Sequence, residues 1–179
     1  LAVFAVAGND AQAVDQGVRD LADFLLVCFG NPVGVISSGN SQSLERYLDL
    51  NYPLSILDVQ RTMAVCAEDG AAAVILALSE ETLKDDALQS VSVDVLGCGD
   101  NGLGEAEIVK SVARFGCTVG KRTHIAVRTQ ESDALASQAA AAYGQTNSSA
   151  LSLSISMVLA AGVRKANIKS ALRVSRDLN

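Results

Sequence analysis

Apolar residues follow two different spacings along this chain, and the two alternate. Short apolar runs, such as residues 33–36, predict strands that are buried on both faces. Between the runs, apolar residues recur at steps of three and four, as Val14, Val18 and Leu21 do, which is the spacing of one helix face. We therefore predict strands at 1–6, 33–36, 54–57, 72–78, 91–96 and 122–128, and helices at 11–29, 42–50, 59–68, 80–89, 105–116 and 132–143. The stretch 151–159 fits both structures, because its serines alternate as in a strand whereas residues 160–162 resemble a helix end.

The regular alternation predicts an α/β fold: a mainly parallel sheet with helices on both faces, built from alternating βα units. We expect a single α/β domain over residues 1–179, the alternative being two small lobes that meet near residue 90. Ligands of such sheets bind beyond the carboxyl ends of the strands. The polar loops at 8–10, 37–41, 97–102 and 129–132 are therefore the predicted places for a site.

Composition narrows the functional classes. The net charge of −6 argues against a general nucleic-acid binder, which needs a concentrated basic surface. No apolar run is long enough for a membrane span and no signal peptide is recognisable, so we expect a cytoplasmic protein. Four cysteines without CxxC spacing and one histidine, His124, predict reduced thiols and no metal site. The expected partner is a small molecule that carries a phosphate or a carboxylate, and self-association into a homo-oligomer is left open.

The first candidate site is the glycine-rich loop after the strand at 91–96. Gly97, Gly99 and Gly102 flank Asp100 and Asn101, and a predicted helix follows. Glycine allows the backbone to approach a ligand closely, and the N-terminus of a helix offers free N–H groups to an anion. The loop therefore predicts a phosphate-binding site, the alternative being a glycine-rich turn without a ligand.

The second candidate site is the loop at 37–41. Ser37, Ser38, Gly39, Asn40 and Ser41 bring three hydroxyls and a carboxamide to the start of a predicted helix. This group suits a carboxylate or a phosphate. The alternative is a helix cap and turn, in which the same residue types are favoured for local reasons.

The order of these loops resembles that of pyridoxal-phosphate enzymes of fold type II, such as the cysteine synthases, threonine synthases and serine dehydratases. In that family a Ser-Gly-Asn loop like 38–40 binds the substrate carboxylate, and a glycine-rich loop like 97–102 holds the cofactor phosphate. A later serine, matched by Ser148 in the segment 147–151, contacts the pyridine nitrogen. The resemblance implies a pyridoxal-phosphate-dependent lyase or synthase, with Asn40 and Ser148 beside the cofactor.

One departure concerns the lysine that binds this cofactor covalently. Val14 stands at the matching place, and no lysine precedes Lys84. The resemblance therefore implies either an enzyme of this type or a relative that has lost its chemistry together with the lysine. Two alternatives stay open: a Rossmann-like domain that binds NAD(P), with Arg128 or Glu131 near the ribose, and a non-catalytic α/β interaction domain. The acidic residues at 80–86 are expected at an exposed helix start.

Overall fold

A computed structural model describes residues 1–99, 103–143 and 148–178. Its strands are β1 (Ala2–Ala7), β2 (Val33–Ile36), β3 (Ser41–Ser43), β4 (Arg46–Leu48), β5 (Ala73–Ala77), β6 (Val95–Cys98) and β7 (His124–Val127). Its helices are α1 (Ala11–Phe29), α2 (Ile56–Glu68), α3 (Glu105–Val112), α4 (Gln130–Tyr143), α5 (Ser148–Ala160) and α6 (Lys165–Leu178), and a short 3₁₀ helix spans Ala113–Phe115.

The described strands form one sheet in the order β4-β3-β2-β5-β1-β6-β7. The five strands from β2 to β7 in this order run parallel, and β3 and β4 extend the sheet as an antiparallel hairpin. Strand β1 lies in the middle, where Ala5 pairs with Leu76 of β5 and with Leu96 of β6. The carboxyl ends of β1, β5 and β6 therefore open at the same edge of the sheet.

Helices cover both faces of this sheet, so the predicted α/β fold is confirmed. One core contains Phe4 and Val6 of β1 and packs against α1, α4, α5 and α6. The other contains Val3 and Ala5 of β1 and packs against α2 and α3. Since successive side chains of a strand point to opposite faces, β1 contributes alternate residues to the two cores.

Local signals explain the ends of two helices. The side chain of Asp10 caps α1 by accepting a hydrogen bond from the Gln12 N–H at 3.1 Å, and Gly30 ends the helix in the left-handed conformation. Ser55 and Asp58 form a capping box at the start of α2. The helix predicted at 11–29 is confirmed with its bounds, and the helix predicted at 59–68 is confirmed but begins earlier, at Ile56.

Three of the predicted elements are wrong. Residues 42–50 form the β3–β4 hairpin rather than a helix, because β3 pairs with β2. Residues 54–57 form no strand, because Ser55 begins the cap of α2. Residues 80–89 form turns rather than a helix, because the backbone of Asp86 and Leu88 donates to the carbonyls of Arg114 and Phe115. The undecided stretch 151–159 lies in helix α5.

Candidate functional site

A crevice of about 290 Å³ lies beyond the carboxyl ends of β1 and β5. Its lining comes from four parts of the chain: the end of β1 with the following loop, the first turn of α1, the residues after β5, and the end of α3 with the 3₁₀ helix. The lining residues are Ala7, Gly8, Asn9, Ala11, Leu78, Ser79, Glu80, Glu81, Ser111, Val112, Arg114 and Phe115. The crevice thus occupies the edge of the sheet at which parallel α/β folds bind their ligands.

The loop between β1 and α1 is not a P-loop. A P-loop ends in a lysine and a hydroxyl residue that reach the phosphates and a magnesium ion. Here Gly8, Asn9 and Asp10 lead directly into Ala11 and Gln12. The carboxylate of Asp10 occupies the Gln12 N–H at the helix N-terminus. A phosphate at this position would therefore meet a carboxylate in place of an ammonium group.

The charged side chains that line the crevice come from the residues after β5 and from the 3₁₀ helix, and these residues form the charged wall of the crevice. Glu80 and Glu81 follow β5, and Arg114 comes from the 3₁₀ helix. Arg114 Nη1 lies 3.2 Å from Glu80 Oε1, and Arg114 Nε and Nη2 donate to Asp85 Oδ1 at 3.1 and 3.0 Å. The hydrogen bonds with Asp85 are the main reason why the pKa of Arg114 is raised. Among the described lining residues, Arg114 is the one cation beside two glutamates.

The loop at 37–41 follows β2 at the same edge of the sheet, and its amides are engaged within the protein. The Ser37 N–H donates to Ser41 Oγ at 3.1 Å, and the Ser38 N–H donates to Thr82 Oγ1 at 2.9 Å. The Gly39 N–H donates to Ser37 Oγ, and the Asn40 N–H donates to the Ser37 carbonyl. A ligand carboxylate would have to replace these bonds, so substrate binding by residues 37–41 stays a prediction.

Side-chain contacts close the same loop further. Ser37 Oγ donates to Asp15 Oδ1 of α1 at 2.5 Å, and Tyr52 donates to Ser41 Oγ at 2.6 Å. Ser79 Oγ, which belongs to the lining of the crevice, donates to Thr82 Oγ1 at 3.0 Å. The loop is therefore joined to the crevice wall through Thr82 rather than open into the crevice itself.

Two glycines of the glycine-rich loop lie in different environments. Gly97 is a buried residue within β6, paired with Val6 and Ala126, whereas Gly99 follows the strand and is exposed. A Cβ atom added to Gly97 would lie 2.8 Å from Met157 Cε and 2.9 Å from its Cγ. Close packing of α5 on β6 therefore accounts for this glycine. Asp100, Asn101 and Gly102 lie outside the described residues.

The helix after this loop is α3, and Gly104 is its N-cap without a side-chain hydrogen bond. Glu105 and Glu107 occupy its first turn, where they already interact favourably with the helix dipole. Ser148 is the first residue of α5. Phosphate binding by the loop at 97–102 and ligand binding by Ser148 stay predictions, although the pyridine-nitrogen contact of Ser148 does not outlast the correction of the cofactor given below.

The described residues contain no group of three or more histidine, cysteine, aspartate or glutamate side chains that could bind a metal ion. The four cysteines form no disulfide, and burial raises the pKa of Cys66 and of Cys117. Within the described part of the chain, no helix combines the length and the apolar character that a membrane crossing requires.

Two solved structures have a fold similar to that of this chain. The chain matches a bifunctional folylpolyglutamate synthase/dihydrofolate synthase from Yersinia pestis CO92 with a TM-score of 0.54 and 13% sequence identity, over 97% of this chain and 57% of that one. The fold resembles that of folylpolyglutamate synthase. A second structure of such a bifunctional enzyme, with Mn, AMPPNP and L-glutamate bound, matches with a TM-score of 0.52 at 13% identity, over 96% and 57% of the two chains. No protein-family model and no curated sequence matches the chain.

These matches overturn the resemblance to pyridoxal-phosphate enzymes of fold type II, and the predicted lyase or synthase function is wrong with it. Pyridoxal phosphate, and NAD(P) as its alternative, are wrong as cofactors, since the related structure holds Mn, AMPPNP and L-glutamate. The physical reason is that glycine- and serine-rich loops end strands in many parallel sheets. Their order along a chain therefore does not identify a family. The chain spans a little over half the length of the solved proteins it matches.

The sequence did not predict the charged wall of the crevice, which Glu80, Glu81 and Arg114 form. Glu80 and Glu81 were assigned to an exposed helix start, and Arg114 was not singled out. The available signal was the position of the two glutamates three and four residues after the end of the buried strand β5. It was not decisive, because only the strand order shows that β5 lies beside β1.

Proposed function

We propose that this chain is a ligase-like domain that binds an adenine nucleotide in the crevice beyond β1 and β5 and does not transfer its phosphate. The observation that carries the proposal is the crevice itself, which is formed where the central strand β1 meets β5 at the carboxyl edge of the sheet. Parallel α/β sheets bind ligands at this edge. A protein of similar fold has been solved with the ATP analogue AMPPNP.

The residues of the β1–α1 loop argue against phosphoryl transfer. Transfer depends on cations that neutralise the phosphate oxygens, usually a P-loop lysine and a divalent metal ion. The loop contains Asp10 where a cation would be needed, and no lysine precedes Lys84. A divalent ion would have to be bound by the phosphates together with one or two side chains, since the described residues contain no group of three metal-ligating side chains.

Isothermal titration calorimetry tests the binding, with ATP, ADP, adenosine and L-glutamate as separate ligands. We expect saturable binding of ATP or ADP with a Kd of about 0.1 to 1 mM, because the site lacks the lysine contact that strengthens phosphate binding. A phosphate-release assay under the same conditions should remain at the level of a protein-free blank. Binding of L-glutamate without nucleotide binding would contradict the proposal, and so would steady ATP hydrolysis.

A matched pair of substitutions on α1 locates the binding. Ala11 lines the crevice, whereas Ala13 is exposed on the same helix and is not among the lining residues. Ala11→Leu should fill part of the crevice and weaken nucleotide binding by about ten-fold or more, which corresponds to about 1.4 kcal/mol. Ala13→Leu should leave the affinity unchanged. Equal affinities of the two variants would place the nucleotide elsewhere.

A further inference from the structure

Arg114 is held at the wall of the crevice by three groups. Asp85 accepts hydrogen bonds from its Nε and Nη2 atoms, Glu80 lies 3.2 Å from Nη1, and the ring centroid of Phe115 lies 5.4 Å from the guanidinium carbon. Asp85 and Phe115 contact the guanidinium without needing Glu80. Loss of the Glu80 contact would therefore leave Arg114 positioned at the same wall.

The contact with Glu80 is the one that a ligand can replace. The side chains of Arg114 and Glu80 are 46% and 74% exposed, and ion pairs between exposed side chains contribute little to stability. A phosphate group accepts two parallel hydrogen bonds from a guanidinium, which a single glutamate oxygen does not match. Replacement of Glu80 by a phosphate group therefore costs little free energy, and it gives Arg114 a charge-assisted pair of hydrogen bonds to the phosphate.

We propose that Arg114 is the phosphate-binding residue of this crevice, and that Glu80 occupies its Nη1 side when no ligand is present. The inference rests on the proposed nucleotide function and names the residue that replaces the missing P-loop lysine. Arg114 is the one cation among the described lining residues. The negative charge of a ligand in the crevice must therefore be neutralised by Arg114 rather than by a residue of the β1–α1 loop.

Two substitutions on this wall have opposite expected effects. Arg114→Gln removes the cation and should weaken binding of ADP by about ten-fold, as expected for loss of a hydrogen bond to a charged group. Glu80→Gln removes the competing carboxylate and should strengthen binding of ADP by about three-fold, within the range of one exposed charge interaction. Adenosine, which carries no phosphate, should bind all variants alike.

Arg46→Gln is the matched control. Arg46 is an exposed arginine whose ion partner is Asp69, and neither residue lines the crevice. We expect this variant to bind ADP with wild-type affinity. Thermal unfolding of every variant shows whether a change in affinity reflects a change in folding.

The outcomes separate the two proposals. If wild-type protein binds ADP and both Arg114→Gln and Glu80→Gln bind it equally well, the role of Arg114 is refuted while the nucleotide function stands. If no nucleotide binds, the nucleotide function is refuted, and titration with inorganic pyrophosphate then tests Arg114 directly. If Arg114→Gln does not fold, Glu80→Gln alone tests the proposal. Unchanged or weaker ADP binding by Glu80→Gln would then refute the proposal that a phosphate replaces Glu80 at Arg114.

Discussion

Gly97 of β6 packs against the buried side chain of Met157 of α5, which would have to shift to admit a Cβ atom. Gly97→Ala should therefore destabilise the protein by about 1 to 3 kcal/mol, the cost of overpacking a filled core. Urea unfolding measures this difference. The matched control is Gly99→Ala, whose Cβ would lie at an ordinary 3.6 Å from Leu153 Cδ2 and should cost less than about 0.5 kcal/mol. Wild-type stability of Gly97→Ala would contradict the packing role.

The capping box of α2 predicts a second stability effect. The Asp58 N–H donates to Ser55 Oγ, and Asp58 Oδ2 accepts from the Ser55 N–H at 3.0 Å. Ser55→Ala should lower the free energy of unfolding by about 1 kcal/mol, because it leaves a helix N–H without its acceptor. Ser137→Ala is the control, since Ser137 is exposed within α4 and alanine is the better helix former. Urea unfolding should show no loss of stability for that variant.

Asp20 of α1 predicts a dependence of stability on pH. Burial raises its pKa, with a smaller contribution from Asp23, and among the described residues its Oδ2 atom is buried without a hydrogen-bond partner. As pH rises from the unfolded-state pKa through the higher folded-state pKa, the unfolded chain releases the proton first, and the native protein loses stability. Above that window the loss is complete, and below it the loss is absent.

Asp20→Asn should therefore be more stable than the wild type at neutral pH by about 1 kcal/mol, the lower range for a poorly paired buried polar group. The gain should vanish below the unfolded-state pKa of the aspartate. The free energy of unfolding, measured in urea from acid to neutral pH, tests both statements. Asp49→Asn removes an exposed aspartate and serves as the control. A gain that is independent of pH would show that the charge of Asp20 is not its cause.

Asp133 predicts the opposite pH dependence. The hydrogen bond from Ser152 Oγ at 2.6 Å is the main reason why the pKa of Asp133 is lowered, and Arg128 adds to it. A lowered pKa gives stability that is present above the unfolded-state pKa and is lost as pH falls through the folded-state pKa. Ser152→Ala should raise the pKa of Asp133, as measured by carboxyl NMR. Its destabilising effect should be largest at neutral pH and should decrease in acid.

The control for this prediction is Asp133→Asn. In that background Ser152→Ala removes no bond to a carboxylate, so its pH-dependent part should disappear. If the pH dependence of the Ser152→Ala effect is the same in both backgrounds, another group titrates.

The elements predicted correctly are those whose own residues decide their structure. Helix α1 begins and ends at the predicted residues, because Asp10 and Gly30 cap a segment with apolar residues on one face. Strand β2 also has its predicted bounds, because a short, wholly apolar run is stable only between two covered faces. The alternation of such segments was sufficient to predict the α/β class of the fold and the helices on both faces of the sheet.

The polar segments were decided by partners that are distant along the chain. Residues 42–50 contain no strong strand signal, and they form a hairpin because the free edge of β2 is available for pairing. Residues 80–89 have a helical charge pattern, yet their backbone bonds to the 3₁₀ helix near residue 115. Local propensity is too weak to resist such tertiary hydrogen bonds.

By itself, the sequence determined the class of fold and the bounds of helix α1, since both follow from residues close together in the chain. Tertiary structure alone decided which loop ends meet. The strand order places the end of β5 beside β1, which brings Glu80 and Arg114 to one crevice. It also decided the role of Gly97, because Met157 packs against it from a helix 60 residues further along the chain, a contact that no local pattern encodes.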